Sequence, residues 1–375
     1  MRVVCAPDSF KESMTAAEAA AAMARGVRRA LARAVADLDV RTVPMADGGE
    51  GTTEAVVDAR GGRLVPARVR DALGRPAVGV LGLVDDLAVI EVASAVGLGV
   101  IAPADRDPLR ASSHGVGDLV RAALDAGVAR LLVGLGGSAT NDGGAGMVAA
   151  LGGVLRDATG RAVPASPDHL AGVAALDLSG LDPRLADVEI TLACDVTNRL
   201  LGPSGATAVF GPQKGVRAGD VALLDAALAT WADALEAATG RAVRTLPGSG
   251  AAGGLGAAFL ALGAARRPGV EVVAEAVGLA AAVAGADLVL TGEGAIDEQT
   301  LAGKTPAGVA ALALRHGVPV LAFAGRVGPG ADLLLERGVA RVVGITPDGT
   351  PPAVALREGP GNLERAVAAA LADRA

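Results

Sequence analysis

The chain alternates short apolar runs with Ala-rich stretches of helical period. Residues 2–5 read as a strand and residues 15–36 as a strong helix. A strand at 40–43 follows, then a Gly-rich turn and a helix near 52–59. This βαβα order predicts a parallel sheet covered by helices. After residue 62 the rhythm changes. Three short strand candidates, 64–69, 77–83 and 87–93, are separated only by turn signals at 71–74 and 85–86, which predicts an antiparallel meander.

From residue 115 the α/β rhythm returns, with helix 117–126, strand 130–135, a Gly-rich loop and helix 145–151. Strand 189–193 and helix 222–239 follow. The last third repeats the opening, with strands at 288–291, 319–324 and 341–345 and helices at 306–316, 331–338 and 363–373. No repeat of solenoid period is present. The economical arrangement is two α/β domains. Residues 1–62 and 283–375 build one around a parallel sheet from both chain ends, and residues 63–282 form an inserted second with a partly antiparallel sheet.

Composition removes several classes. A hydrophobic content of 51% with 20% charged residues argues against disorder. The net charge of −7 is spread along the chain and offers no basic face to nucleic acid, and a single Trp with four Phe leaves little for base stacking. No run nears the roughly 18 apolar residues of a membrane span. Residues 1–10 lead into a charged segment, unlike a secretory signal. Cys5 and Cys194 are too few for a disulfide framework, which suits a reducing compartment. These readings point to a soluble cytoplasmic protein with no membrane partner.

The polar residues that could do chemistry collect in Gly-rich turns at strand ends, where open α/β sheets place ligands. Early turns are Pro7-Asp8-Ser9-Phe10-Lys11 and Met45-Ala46-Asp47-Gly48-Gly49-Glu50-Gly51-Thr52. The long loop is Gly136-Gly137-Ser138-Ala139-Thr140-Asn141-Asp142-Gly143-Gly144. Later come Cys194-Asp195-Val196-Thr197-Asn198, Gly211-Pro212-Gln213-Lys214-Gly215 and Gly250-Ala251-Ala252-Gly253-Gly254. The series closes with Thr291-Gly292-Glu293-Gly294-Ala295-Ile296-Asp297, Gln299 and Gly303-Lys304-Thr305.

The chain has 34 basic residues but only three lysines, Lys11, Lys214 and Lys304, and all three lie in these turns. Where Arg stands almost everywhere else, a surviving Lys suggests a place for a compact ammonium, with phosphate or carboxylate as its usual partner.

The loop at 136–146 follows an apolar strand and opens a helix, so it is the best phosphate cradle, its backbone N–H groups and helix N-terminus open to an anion. Gly134-x-Gly136-x-x-Ala139 also fits a relaxed dinucleotide fingerprint, but no acidic residue ends a second strand about 20 residues on. Gly303-Lys304-Thr305 resembles the end of a P-loop, except that Glu298 stands where Gly is required. Carboxylates beside such loops suggest Mg²⁺, or a base for a hydroxyl nucleophile, with Asp47 and Asp195 the foremost candidates and Asp142 as readily an N-cap. His114, His169 and His316 lack metal spacing and read as structural or solvated. Ser138 lacks a nucleophile elbow, and Cys194 reads as packing.

Taken together and in order, these motifs closely resemble the glycerate kinase family over nearly the whole chain. Two departures stand out: Glu12 where Gly is common, and Arg199 where Pro is frequent. The resemblance implies transfer of the ATP γ-phosphoryl group to D-glycerate with Mg²⁺, giving 2-phosphoglycerate, with 3-phosphoglycerate as the alternative product. It also implies a Rossmann- or flavodoxin-like domain beside a second α/β domain, with the active site in the cleft between them.

Under that resemblance the catalytic residues are Asp47, Lys11, Asp195 and Lys304, with Asp47 orienting the attacking hydroxyl. Asp8, Ser9, Lys11, Glu50 and Gln299 bind substrate, and Lys11 and Lys304 serve either the glycerate carboxylate or a phosphate. Gly136, Gly137, Ser138, Ala139, Thr140, Asn141, Lys214, Gly253 and Gly254 bind ATP, and Asp195, Glu293 and Asp297 hold Mg²⁺. A homodimer is compatible with this reading. An NAD(P)-dependent oxidoreductase or a non-enzymatic small-carboxylate binder are the readings from other classes.

Overall fold

In a computed structural model, residues 1–372 are described, apart from the side chains of Gln299 and Ala302. The chain divides into two compact units. The first holds Met1–Asp47, Glu54–Gly61 and the chain from Pro268 on; the second holds Gly48–Thr53 and Gly62–Arg267.

The first unit is built on a five-stranded parallel sheet in the order Val339–Gly344, Val320–Val327, Leu288–Ile296, Arg2–Cys5, Asp39–Thr42. Its central strands are continuous apolar runs, with Val3, Val4, Cys5 and Leu288–Leu290 fully buried, as a sheet covered on both faces requires. From Arg2–Cys5 the chain crosses to one side of the sheet, and from Leu288–Ile296 to the other. Those two strands are neighbours, with Cys5 opposite Leu290. They form a topological switch point, and their carboxyl ends carry Asp8 and Glu293.

Helix Ala16–Leu31 starts at a capping box, Thr15 Oγ1 accepting from Glu18 N and Glu18 returning to Thr15 N. It ends five residues before the expected position 36, because the alanine-rich pattern continues past the buried Leu31 into a turn. Gly26 lets it cross helix Gly359–Leu371 closely, since a Cβ there would lie 2.6 Å from Glu364 O. The segment expected as a helix at 331–338 is a 3-10 helix, Ala331–Arg337, closed by Gly338 with φ of 95°. Position 373 of the expected terminal helix lies outside the described residues.

The second unit carries a six-stranded sheet in the order Ala265–Arg267, Glu189–Ala193, Arg130–Gly134, Leu87–Glu91, Pro76–Val84, Arg63–Arg70. The last three form the antiparallel meander read from the sequence, and the others pair in parallel. A two-stranded ribbon, Val154–Arg156 with Ala175–Asp177, was not signalled by its short runs. Helix Val221–Thr239 buries Trp231 completely.

The chain returns to the first unit at Pro268, ahead of the position 283 read from the sequence. Helix Gly269–Ala276 accounts for the difference, because it packs on helix Thr305–Arg315 of the first unit. There a Cβ on Gly308 would meet Val270 at 2.5 Å. The turn at 45–52 is likewise divided, Asp47 falling in the first unit and Gly48–Thr53 in the second. No helix among the described residues is long and apolar enough to cross a membrane.

Candidate active site

In the first unit, the switch point gathers carboxylates. The chain after Arg2–Cys5 stays bonded to the neighbouring strand, with Ala6 N donating to Leu290 O and Asp8 N to Gly292 O. This places Asp8 beside Glu293. Both are only 8% exposed. Asp8 Oδ2 accepts from Thr305 Oγ1 at 2.5 Å and Oδ1 from Ser9 N at 2.6 Å. Burial, and then the charge of Asp47, push the Asp8 carboxyl up to about 6.

Glu293 Oε1 accepts from Thr300 Oγ1 at 2.8 Å, and Lys304 Nζ stands 4.0 Å from its other oxygen. Burial drives its carboxyl up to about 7; the charges of Asp8 and Asp47 add to that, while Thr300 and Lys304 oppose it. The three carboxylates therefore feel one another. They form a cluster in which Asp8 and Glu293 keep their protons toward neutral pH.

The surrounding backbone is kept close by glycine. A Cβ on Gly294 would lie 3.3 Å from Lys11 N, and one on Gly325 would lie 2.6 Å from Gly294 O. Lys11 is exposed, Ser9, Asp47 and Lys304 are half-buried, and Asp297 opens the turn in which its O accepts from Thr300 N at 3.0 Å. Gln299 lies in the same turn, its side chain outside the described residues. Glu12 has φ of 64°, in the left-handed region, where a Cβ is strained and glycine is favoured.

In the second unit, the loop at 136–146 leaves strand Arg130–Gly134 with two contrasting sides. Gly136 and Gly137 are exposed, whereas Ser138, Ala139, Thr140, Asn141 and Asp142 are buried. The helix it opens, Ala145–Ala150, is short, and its N-terminus is not open to an anion as the sequence suggested. Asp142 occupies it: its carboxylate accepts from Gly144 N and Gly146 N at 3.1 Å each, and from Ser113 N and Oγ at 2.7 and 2.8 Å. Gly143 N goes to Gly253 O, and Met147 N to Ser113 Oγ. What remains for a ligand on this loop is its outer edge at Gly136 and Gly137.

Gly253 and Gly254 support that loop from inside. A Cβ on Gly253 would stand 1.9 Å from Thr140 O, and its φ of 68° is left-handed. Trp231 Nε1 donates to Gly143 O at 2.9 Å, and Asn141 Nδ2 to Thr207 Oγ1 at 3.0 Å. Lys214 is 2% exposed and donates to Ser138 Oγ at 3.0 Å and Thr140 O at 2.7 Å. Burial pulls its ammonium down to about 7, against the opposing charge of Asp142.

Asp195 is half-buried just past strand Glu189–Ala193, the parallel neighbour of Arg130–Gly134, with Ala193 opposite Gly134. Asp195 and Gly136 thus leave the same edge of the sheet. Glu50 is exposed and belongs to this unit. Of the three candidate metal ligands, Asp195 is in the second unit, while Glu293 and Asp297 are in the first. No group of three His, Cys, Asp or Glu side chains able to hold a metal is preassembled among the described residues.

Three polar residues were missed in the sequence reading. Thr300 and Thr305 hold the two raised carboxyls; Thr300 directly follows Gln299, and Thr305 stands in the Gly303-Lys304-Thr305 turn without having been given a role. Glu91, which accepts from Thr53 N at 2.7 Å, ends an apolar strand and carried no turn motif.

The model of the glycerate kinase family matches residues 3–373. The chain is 45% identical to a glycerate kinase of Bacillus subtilis (strain 168), over 97% of this chain and 95% of that protein. It is 42% identical to the glycerate 2-kinase of Escherichia coli (strain K12), over 92% and 90% respectively. A solved Salmonella typhimurium LT2 structure, provisionally described as glycerate kinase 2, superposes with a TM-score of 0.89 at 45% identity. That match spans 100% of this chain and 98% of the other.

Proposed function

This chain belongs to the glycerate kinase family, and is therefore a phosphotransferase; we propose that it transfers the γ-phosphoryl group of ATP to D-glycerate, giving ADP and 2-phosphoglycerate. The observation that carries the chemistry is the buried pair Asp8 and Glu293 at the switch point, with Lys304 4.0 Å from Glu293. A hydroxyl nucleophile needs a group that orients it and takes its proton, and carboxyls poised near neutral pH suit that task. Asp47, whose charge acts on both Asp8 and Glu293, orients the hydroxyl. Asp8 and Ser9 hold the acceptor, with Glu50 and Gln299 as further substrate contacts. Lys11 and Lys304 offset the charge of its carboxylate or of the phosphoryl group in transit.

In the second unit the exposed edge at Gly136 and Gly137 receives phosphate, on a scaffold of Ser138, Ala139, Thr140, Asn141, Lys214, Gly253 and Gly254. The donor set fits Mg²⁺, which takes one or two carboxylates and leaves its other positions to water and phosphate oxygens. Glu293 and Asp297 in the first unit, or Asp195 in the second, would hold it, and when bound it would neutralise phosphate charge. The name of the Escherichia coli relative supports the 2-phospho product. The free, buried Cys5 and Cys194 suit the reducing cytoplasm.

The test is direct. Purified protein with ATP, Mg²⁺ and D-glycerate forms ADP, and enolase added without a mutase draws on the product at once. Absence of glycerate-dependent ADP would refute the activity. A signal that appears only after a mutase is supplied would assign the 3-phospho product instead.

A further inference from the structure

Lys214 is chemically odd. Its ammonium is buried, and two of its three protons are engaged by Ser138 Oγ and Thr140 O. A cation meant to meet a ligand would keep its head in solvent or at a pocket wall. This one lies on the buried side of a loop whose opposite edge, Gly136 and Gly137, is exposed.

We propose that Lys214 is a positioning residue: without touching a ligand, it holds residues 138–140 from beneath and so fixes the phosphate-receiving edge at Gly136 and Gly137. The proposal rests on reading that edge as the phosphate site.

Three observations support it. The far end of the loop is anchored separately, by Asp142, by Gly253 O and by Trp231, and the near end by backbone bonds, Leu98 N to Gly137 O and Ala139 N to Val96 O, so what Lys214 adds is the hold on Ser138 Oγ and Thr140 O from the buried side. Thr140 Oγ1 and Asn141 Oδ1 are already buried without a partner. Removing Lys214 would add Ser138 Oγ and Thr140 O to these, and a loop with that many unpaired polar atoms shifts to find water. The contacts also require a slim stem ending in a point charge. A guanidinium fork would not fit under a backbone that Gly253 approaches so closely that a Cβ would stand 1.9 Å from Thr140 O.

The test uses Mg-ADP binding, read by calorimetry and by Trp231 emission. Trp231 is the only Trp, there is no Tyr, and its indole is bonded to this loop. Lys214→Met should weaken Mg-ADP by about tenfold, the value of losing charge-assisted bonds to the loop. The KM for glycerate should stay within about twofold, since additivity holds for independent sites. Ser138→Ala, which removes one acceptor without a cavity, should weaken Mg-ADP by about threefold and add little to Lys214→Met.

Mg-ADP affinity unchanged in Lys214→Met overturns the proposal, as does a glycerate KM that rises in step with the ADP loss. If Lys214→Met fails to fold, Ser138→Ala decides on the same criterion. Wild-type protein that binds no Mg-ADP would refute the kinase reading and this proposal together. Normal nucleotide binding without glycerate turnover would refute the acceptor assignment alone.

Discussion

Asp8 and Asp142 are both aspartates buried in turns that follow apolar strands, one in each unit, and burial raises the carboxyl of both. Their partners separate them. Asp142 accepts from four donors, the backbone N–H groups of Gly144 and Gly146 in its own loop and the N–H and hydroxyl of Ser113. Asp8 accepts from Thr305 Oγ1 and from Ser9, its sequence neighbour, and has the like charge of Asp47 acting on it. A carboxylate saturated with donors builds a loop. One with fewer donors among other carboxylates holds its proton to higher pH, at a cost in stability once it ionises, which is what the proposed chemistry would use.

The sharpest break between the two comes from their amide variants. Asp8→Asn should lower kcat by about 10²–10⁴-fold, the range for losing a positioned acid–base group, while thermal unfolding stays at or above the wild-type temperature. Asp142→Asn should do the reverse. An amide NH₂ turned toward Ser113 N, Gly144 N or Gly146 N leaves buried donors facing one another, and unfolding should become easier by about 2–4 kcal/mol. An Asp8→Asn protein that unfolds early, beside an Asp142→Asn protein that stays stable, would invert the comparison.

Titration offers a gentler test. The ordinary values for Asp8 and Glu293 are 3.8 and 4.5, against about 6 and about 7 in the fold. The folded protein therefore binds more protons than the unfolded chain between these limits. Without metal, stability should fall as pH rises from about 4 to about 7, by on the order of 2–3 kcal/mol per group. Lys214 acts oppositely. Its value drops from 10.5 to about 7, so the unfolded chain holds the extra proton and stability recovers above pH 7. Wild-type melting temperatures compared with Glu293→Gln from pH 4.5 to 7.5 should diverge, the variant being the flatter; parallel curves would remove Glu293 from this account.

The smallest effect concerns Glu12. Glu12→Gly should stabilise by up to about 1 kcal/mol, because a left-handed backbone at φ of 64° strains a Cβ and not a glycine. Chemical denaturation reads this directly, and a loss of stability would mean that the Glu12 side chain has an unrecognised partner.

Much of this was legible in the residues. Continuous Val- and Leu-rich runs announced the parallel strands, and close turn signals after residue 62 announced the meander. The carboxylates at the switch point were visible as motif residues. Less visible was what each group faces. Lys214 was conspicuous for rarity, yet nothing in its turn told that the ammonium points into the protein. Asp142 read equally as ligand or cap, because the choice depends on Ser113, remote in sequence. The return to the first unit at Pro268 depends on Val270 meeting Gly308, a contact that an apolar helix pattern cannot assign to one neighbour over another.

The split first sheet also governs how the chain can be made. The second unit is nearly contiguous, from Gly62 to Arg267, so it can fold on the ribosome once its last strand has emerged. The strand Arg2–Cys5 has no such option on its inner side. Thr291 Oγ1 reaches Ala6 O across 285 residues of chain, a wait of roughly 15–60 s at ~5–20 residues per second. Through that interval an apolar edge, Val3-Val4-Cys5, is complete and unmatched. Synthesis of this protein therefore passes through a long-lived nascent state that slow translation lengthens and that a chaperone would be expected to shield.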